Sequence, residues 1–167
     1  MNRPLGLALL VLSTLPGSCS APGGSNFQAT VIWVSDGDSL VVVHRSGQEN
    51  IRLYGIDCPE RGQPYADLAL AFTCDLVLLK EVRIHARGRD AYGRLLAEVT
   101  LPDGRTLHHE LLKAGLAWWY RRYAPDRTLA ALEGSARATR RGLWASPDAI
   151  PPWDWRDLHR EPLRSER

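Results

Sequence analysis

Two short β-branched runs, residues 27–35 and 39–44, meet at Asp36-Gly37-Asp38, and this hairpin signal constrains the fold more than any other feature. Residues 49–56 read as a third strand. Gly62 to Pro64 then lead into a helical pattern that places Tyr65, Leu68, Ala69, Phe72, Leu76 and Leu79 on one face. Residues 82–86 and 95–101 are two more short strands, the second closing on the turn Pro102-Asp103-Gly104. A short helix over 107–114 precedes the apolar and aromatic stretch 116–123. Asp126 is placed to cap a last helix running to about Arg141, with Gly142 as its stop. Five short strands with a helix after the third predict an α+β, mainly β fold: a five-stranded, partly open OB-fold barrel with about three helices.

Composition agrees with one domain. The chain has 167 residues, 44% of them hydrophobic and 24% charged, which excludes a disordered, collagen-like or multi-span membrane protein. A net charge of +2 is too balanced for a protein that clamps duplex DNA by charge alone. All the basic residues except Lys80 and Lys113 are arginine.

The first residues read differently from the rest. Arg3 precedes an apolar run, residues 5–15, that stops at Pro16-Gly17 and gives way to small residues. That pattern is a secretory signal peptide, and the run is too short for a membrane span. Residues 1–20 are therefore assigned to the signal and 21–26 to a linker. Residues 27–146 form the domain, and 147–167 a Pro/Arg-rich tail lying over the surface or fraying. Cys19 is a candidate lipid-attachment site, although Pro16 stands where such signals usually carry Leu. Export, as a periplasmic or secreted protein or a lipoprotein, is expected either way.

In an oxidising compartment Cys58 and Cys74, sixteen positions apart, could form a disulfide worth about 3 kcal/mol or remain free. His108-His109 lacks zinc-site spacing and reads as a surface feature. Trp33, Trp144, Trp153 and Trp155 are expected to pack the core or pin the tail.

Chemistry gathers in four places: Asp36-Gly37-Asp38, Arg52, Asp57-Cys58-Pro59-Glu60 and Asp90-Ala91-Tyr92-Gly93-Arg94. Each alone has an ordinary structural explanation as a turn or a solvated charge. Together they say more, because strand pairing would collect Asp38, Asp57 and Glu60 at one end of the barrel. Two carboxylates about 4 Å apart repel by roughly 4 kcal/mol at an effective dielectric of 20. A cation removes that cost, and an all-oxygen donor set selects a hard one; a loose site favours Ca2+ over Mg2+. A hard cation, two arginines and a free carboxylate suit phosphodiester hydrolysis.

These residues resemble the staphylococcal (micrococcal) nuclease family, the thermonucleases. The matching stretches are Asp-Gly-Asp-Ser at 36–39, Ile-Arg-Leu-Tyr-Gly-Ile-Asp-Cys-Pro-Glu at 51–60, Asp-Ala-Tyr-Gly-Arg at 90–94, Gly-Leu-Ala at 115–117 and Arg-Gly-Leu-Trp at 141–144. The resemblance implies Ca2+-dependent cleavage of DNA and RNA, single-stranded or frayed by preference, to products ending in 3′-phosphate. It implies that Asp38, Asp57 and the carbonyl of Cys58 hold Ca2+. Glu60 is the implied general base, Arg52 and Arg94 the phosphate holders, and Tyr92 and Tyr123 the lining of the nucleotide pocket. The chain departs from the family pattern at Ser39, Cys58, Ala91 and Arg121 and has a short loop after Glu60, but the catalytic set is intact. A monomer without an obligate protein partner is expected.

The competing expectation is a non-catalytic OB-fold module that only binds nucleic acid. Such a binder has no need to keep Arg52, Asp57, Glu60 and Arg94 together, nor of an export signal. A secreted structural module stabilised by Ca2+ would leave both arginines unexplained.

Overall fold

The computed structural model describes residues 26–159, so the signal segment, Cys19 and nearly all of the linker lie outside the described residues. Strands β1 (Asn26–Asp36), β2 (Ser39–His44), β3 (Gly47–Leu53), β5 (Glu81–Arg89) and β6 (Leu95–Thr100) close a barrel in the order β1-β2-β3-β6-β5. All its pairings are antiparallel except β3 with β6, which is parallel. Register shifts in β1 after Val31 and Val34, and in β5 after Ala86, are the bulges that bend long strands round the corners of a small barrel. Alternating Val31, Leu40, Val42, Ile51, Leu53, Ile84, Ala97 and Val99 fill the interior and are fully or almost fully buried.

Helix α1 (Ala66–Val77) follows β3 and the short β4 (Ile56–Asp57), as the sequence predicts, and Tyr65, Ala69, Phe72 and Leu76 of the expected face pack against the core. Its buried residues are Ala69, Thr73 and Val77, whereas Leu68 and Leu79 are exposed. Thr73 escapes a hydropathy reading because its hydroxyl donates to the Gly37 carbonyl at 2.7 Å, which satisfies the polar group within the core. Helix α2 (Leu107–Ala114) buries Leu107, Leu111 and Leu112 together with His108, which is therefore a core residue and not a surface one. Burial pushes the His108 pKa down to about 4.

Beyond α2, β7 (Trp118–Trp119) pairs with β4, and α3 (Arg127–Ala138) is capped by the Asp126 carboxylate, which accepts from the Thr128 and Leu129 amides. The helix ends at Ala138, before the expected Arg141. Gly142 opens a 3-10 turn (Gly142–Ala145) and touches Gly115: a Cβ on Gly142 would lie 2.3 Å from the Gly115 carbonyl oxygen. Only glycine permits that approach, and it joins the 115–117 and 141–144 segments backbone to backbone.

The segment read as a tail lying over the surface or fraying contains a further helix, α4 (Pro152–Leu158). Trp153 stacks on Tyr120 at 5.0 Å and meets Trp118 edge-on at 5.9 Å, while Trp144 packs against Trp118 at 4.3 Å. Trp33 does not pack the core; it is 63% exposed on the outside of β1. Cys58 is buried and Cys74 partly so, and both are free thiols. No helix among the described residues is long and apolar enough to cross a membrane.

Candidate active site

The β1–β2 turn delivers Asp38. Its amide donates to Asp36 Oδ1 at 3.1 Å, and its carbonyl accepts from the Leu53 amide at 2.8 Å, which ties the turn to the end of β3. A Cβ on Gly37 would sit 2.8 Å from Cys58 Sγ and 2.9 Å from the Ala69 side chain, so the turn presses against the 57–60 loop and α1 only because residue 37 is glycine. The Cys58 amide closes the junction by donating to Asp38 Oδ2 at 2.5 Å. Burial raises the Cys58 thiol pKa well above its ordinary value, which leaves it an inert packing group.

Arg52 pairs with Ser39 on the neighbouring strand β2 and turns its guanidinium to the acids. It bridges Asp38 Oδ1 and Asp57 Oδ1, the latter at 2.5 Å. Both carboxylates are almost wholly buried. Two desolvated anions in one place are tolerable only with a cation between them, which the guanidinium provides.

Arg94 stands just before β6. Asp90 fixes it by accepting from Arg94 Nε at 2.7 Å and from the backbone amides of Tyr92 and Arg94. Burial opposes the Asp90 charge, but these donors outweigh it and hold its carboxyl below the usual range. Arg94 reaches Ser39 Oγ at 3.4 Å, which puts it beside the Asp38–Arg52 group. Tyr92, 88% exposed, lies under the Arg94 guanidinium at 5.8 Å.

Glu60 follows on the 57–60 loop, its amide held by Gln63 Oε1 at 2.9 Å. Tyr123 is positioned by other means: its carbonyl accepts from the Tyr54 hydroxyl at 3.2 Å and its ring lies 4.7 Å from Tyr120. Asp38, Arg52, Asp57, Cys58, Glu60 and Arg94 are thus gathered at one mouth of the barrel, with Tyr92 on its rim.

One participant is absent from the sequence reading. Arg156 of α4 donates to Asp57 Oδ2 at 2.8 Å and also pairs with Glu60. Burial works against its charge, yet the bonds to Asp57 and Glu60 prevail and raise its pKa. Pro151-Pro152 was a usable signal for the start of a helix. Nothing local could have linked positions 57 and 156.

The carboxylate oxygens of Asp38 and Asp57, gathered on one guanidinium, are the kind of donor a hard cation takes, though in this conformation Arg52 occupies them. Among the described residues, no three His, Cys, Asp or Glu form a ready-made metal cage.

A small closed five-stranded barrel with arginines and carboxylates at one mouth is an OB-type architecture. Residues 50–146 match the family model described as staphylococcal nuclease homologue. An uncharacterized endonuclease of Escherichia coli O157:H7 is 36% identical over 156 residues, covering 93% of this chain and 98% of the relative. A micrococcal nuclease of Shigella flexneri is 34% identical over 147 residues, covering 82% and 84%. A probable staphylococcal-like nuclease of Oryza sativa subsp. japonica is 37% identical over 106 residues, covering 64% of this chain and 32% of its own length. The chain belongs to the staphylococcal nuclease family. It is a nuclease, with nucleic acid as its substrate.

Proposed function

We propose that this protein is an exported, Ca2+-dependent nuclease that cleaves single-stranded or frayed DNA and RNA to products ending in 3′-phosphate. The observation that carries the reading is the buried Asp38–Arg52–Asp57 group with Glu60 and Arg94 beside it. Asp38, Asp57 and the Cys58 carbonyl are the residues that would hold the cation. The chemistry Ca2+ supplies when bound is Lewis-acid polarisation of the phosphate and charge compensation. Arg52 and Arg94 each present paired N–H groups to phosphate oxygens and so favour the extra negative charge of five-coordinate phosphorus. Glu60 takes the proton of the attacking water. Tyr92 and Tyr123 offer ring faces to a nucleotide. Export is supported by Arg3, the apolar run and the small residues after it, with Cys19 as an alternative lipid anchor.

The test is cleavage of one DNA and one RNA substrate with Ca2+ or excess chelator. Activity with Ca2+ and none in chelator is expected. Full activity in chelator, or activation by Zn2+ alone, overturns the Ca2+ assignment. Glu60→Gln should lower kcat by about 10²–10⁴-fold. A near-parental rate would remove Glu60 from the base role while leaving the protein a nuclease. Mass spectrometry of the native protein checks export: a mature N-terminus between residues 19 and 26 is expected, and an intact Met1 on cytoplasmic protein refutes it.

A further inference from the structure

We propose that α4 is an autoinhibitory latch, in which Arg156 is a built-in counter-ion that must leave Asp57 and Glu60 before a divalent cation and a phosphate engage them. The inference rests on the reading of the site given above. In this conformation both Asp57 oxygens are taken: Oδ1 by Arg52 at 2.5 Å and by Arg156 at 3.4 Å, and Oδ2 by Arg156 at 2.8 Å. A carboxylate shared between two guanidiniums is closed to a further cation. Arg156 also pairs with Glu60, so one guanidinium engages both acids.

The placement does not depend on the ion pair alone. Trp153, one turn earlier on α4, lies parallel to Tyr120 with an interplanar angle of 8°. Gln63 joins the same segment to the catalytic loop: its Nε2 donates to the Ile150 carbonyl at 2.6 Å while its Oε1 holds the Glu60 amide. Aromatic stacking, an amide clamp and a two-carboxylate ion pair all converge on one conformation. The element itself is weak, a seven-residue helix whose only buried residue is Pro152. Short, half-exposed elements detach at low cost, which suits a part that must move.

If closure and cation binding exclude each other, each weakens the other by the same factor. The experiment is calorimetric Ca2+ titration of the full chain without nucleic acid, on the parental protein, Arg156→Gln and Trp153→Ala. Both variants should bind Ca2+ about five- to tenfold more tightly, the lower range of typical coupling. Ca2+ should also speed amide hydrogen exchange over residues 152–158 of the parental protein. Trp153→Ala is the decisive arm, because it loosens the latch and leaves every charge in place. Unchanged affinity in both variants overturns the latch. So does an effect confined to Arg156→Gln, which reports only a nearby charge. A fall in kcat at saturating Ca2+ with unchanged affinity in Arg156→Gln makes Arg156 a phosphate contact instead. If the parental protein cleaves nucleic acid and binds no Ca2+, the Ca2+ reading fails and the latch falls with it; Ca2+ binding that neither variant alters sinks the latch alone.

Discussion

Arg52 on β3 and Arg87 on β5 are both strand arginines facing carboxylates, yet they do opposite work. The Arg52 side chain is 13% exposed and its partner Asp57 1%; Arg87 is 53% exposed and bonds Glu98, itself 26% exposed, at 2.5 Å. Water screens the second pair and replaces it readily when it breaks. The first pair has lost most of its water, so it costs desolvation to build and leaves bare charge when broken. Well-packed apolar groups in place of Asp38, Arg52 and Asp57 together would serve the barrel as well or better. Stability therefore does not explain the buried pair, and the phosphate chemistry proposed for that mouth does.

Breaking the buried pair tests the comparison at its largest effect. Arg52→Met keeps much of the side-chain length and leaves Asp38 and Asp57 facing each other with Arg156 alone for compensation. The loss should be about 3–5 kcal/mol, read from urea midpoints in chelator at neutral pH. Added Ca2+ should recover part of it by binding only the folded state. A loss under about 1 kcal/mol would mean that the pair is hydrated like the one at Arg87.

The same contrast explains what the sequence reveals. Barrel strands announce themselves because β-branched residues alternate with polar ones, and the Asp-Gly-Asp turn marks where the first two join. The site is legible because Asp38, Arg52 and Asp57 lie at strand ends whose pairing follows from the hairpin order. Helix α1 is harder to read: Thr73 is a core residue only because the Gly37 carbonyl accepts its hydroxyl, a partner 36 positions away. His108 hides for a related reason, since hydropathy treats histidine as polar while its neutral ring is buried among leucines. Gly142 suits a helix stop by composition but is needed for contact with Gly115. Arg156 is the furthest from view, because its partners lie 96 and 99 residues away and its own segment resembles a tail.

His108 sharpens the comparison from the other side, as a buried titratable group with no ion pair among the described residues. Its ring Nδ1 is buried with no hydrogen-bond partner among the described residues, and burial depresses its pKa from 6.5 to about 4. Below pH 6.5 the unfolded chain takes up a proton that the folded chain refuses. Stability therefore falls as pH drops from 6.5 to about 4, then stops falling on this account. The full effect is on the order of 3 kcal/mol. His108→Leu should flatten the fall between pH 7 and 4.5 in urea midpoints. His109, also depressed by burial, remains as the residual slope. An unchanged slope in His108→Leu would assign the acid sensitivity elsewhere.

The smallest effect belongs to Arg87. Besides its bonds to Glu98 it lies 6.0 Å from the Tyr54 ring, so removing it loses a little packing as well as charge. Arg87→Gln should shift the urea midpoint by less than about 1 kcal/mol at low salt. In 1 M NaCl the Debye length shrinks to about 3 Å, and the electrostatic share of that difference should vanish. The Arg52→Met loss should survive the same salt, because buried charges are screened far less. Salt response thus separates the two arginines more cleanly than magnitude does: a small effect that persists in salt at Arg87 would mark it as a packing residue, whereas a large one that disappears at Arg52 would mean that water and ions reach the barrel mouth freely.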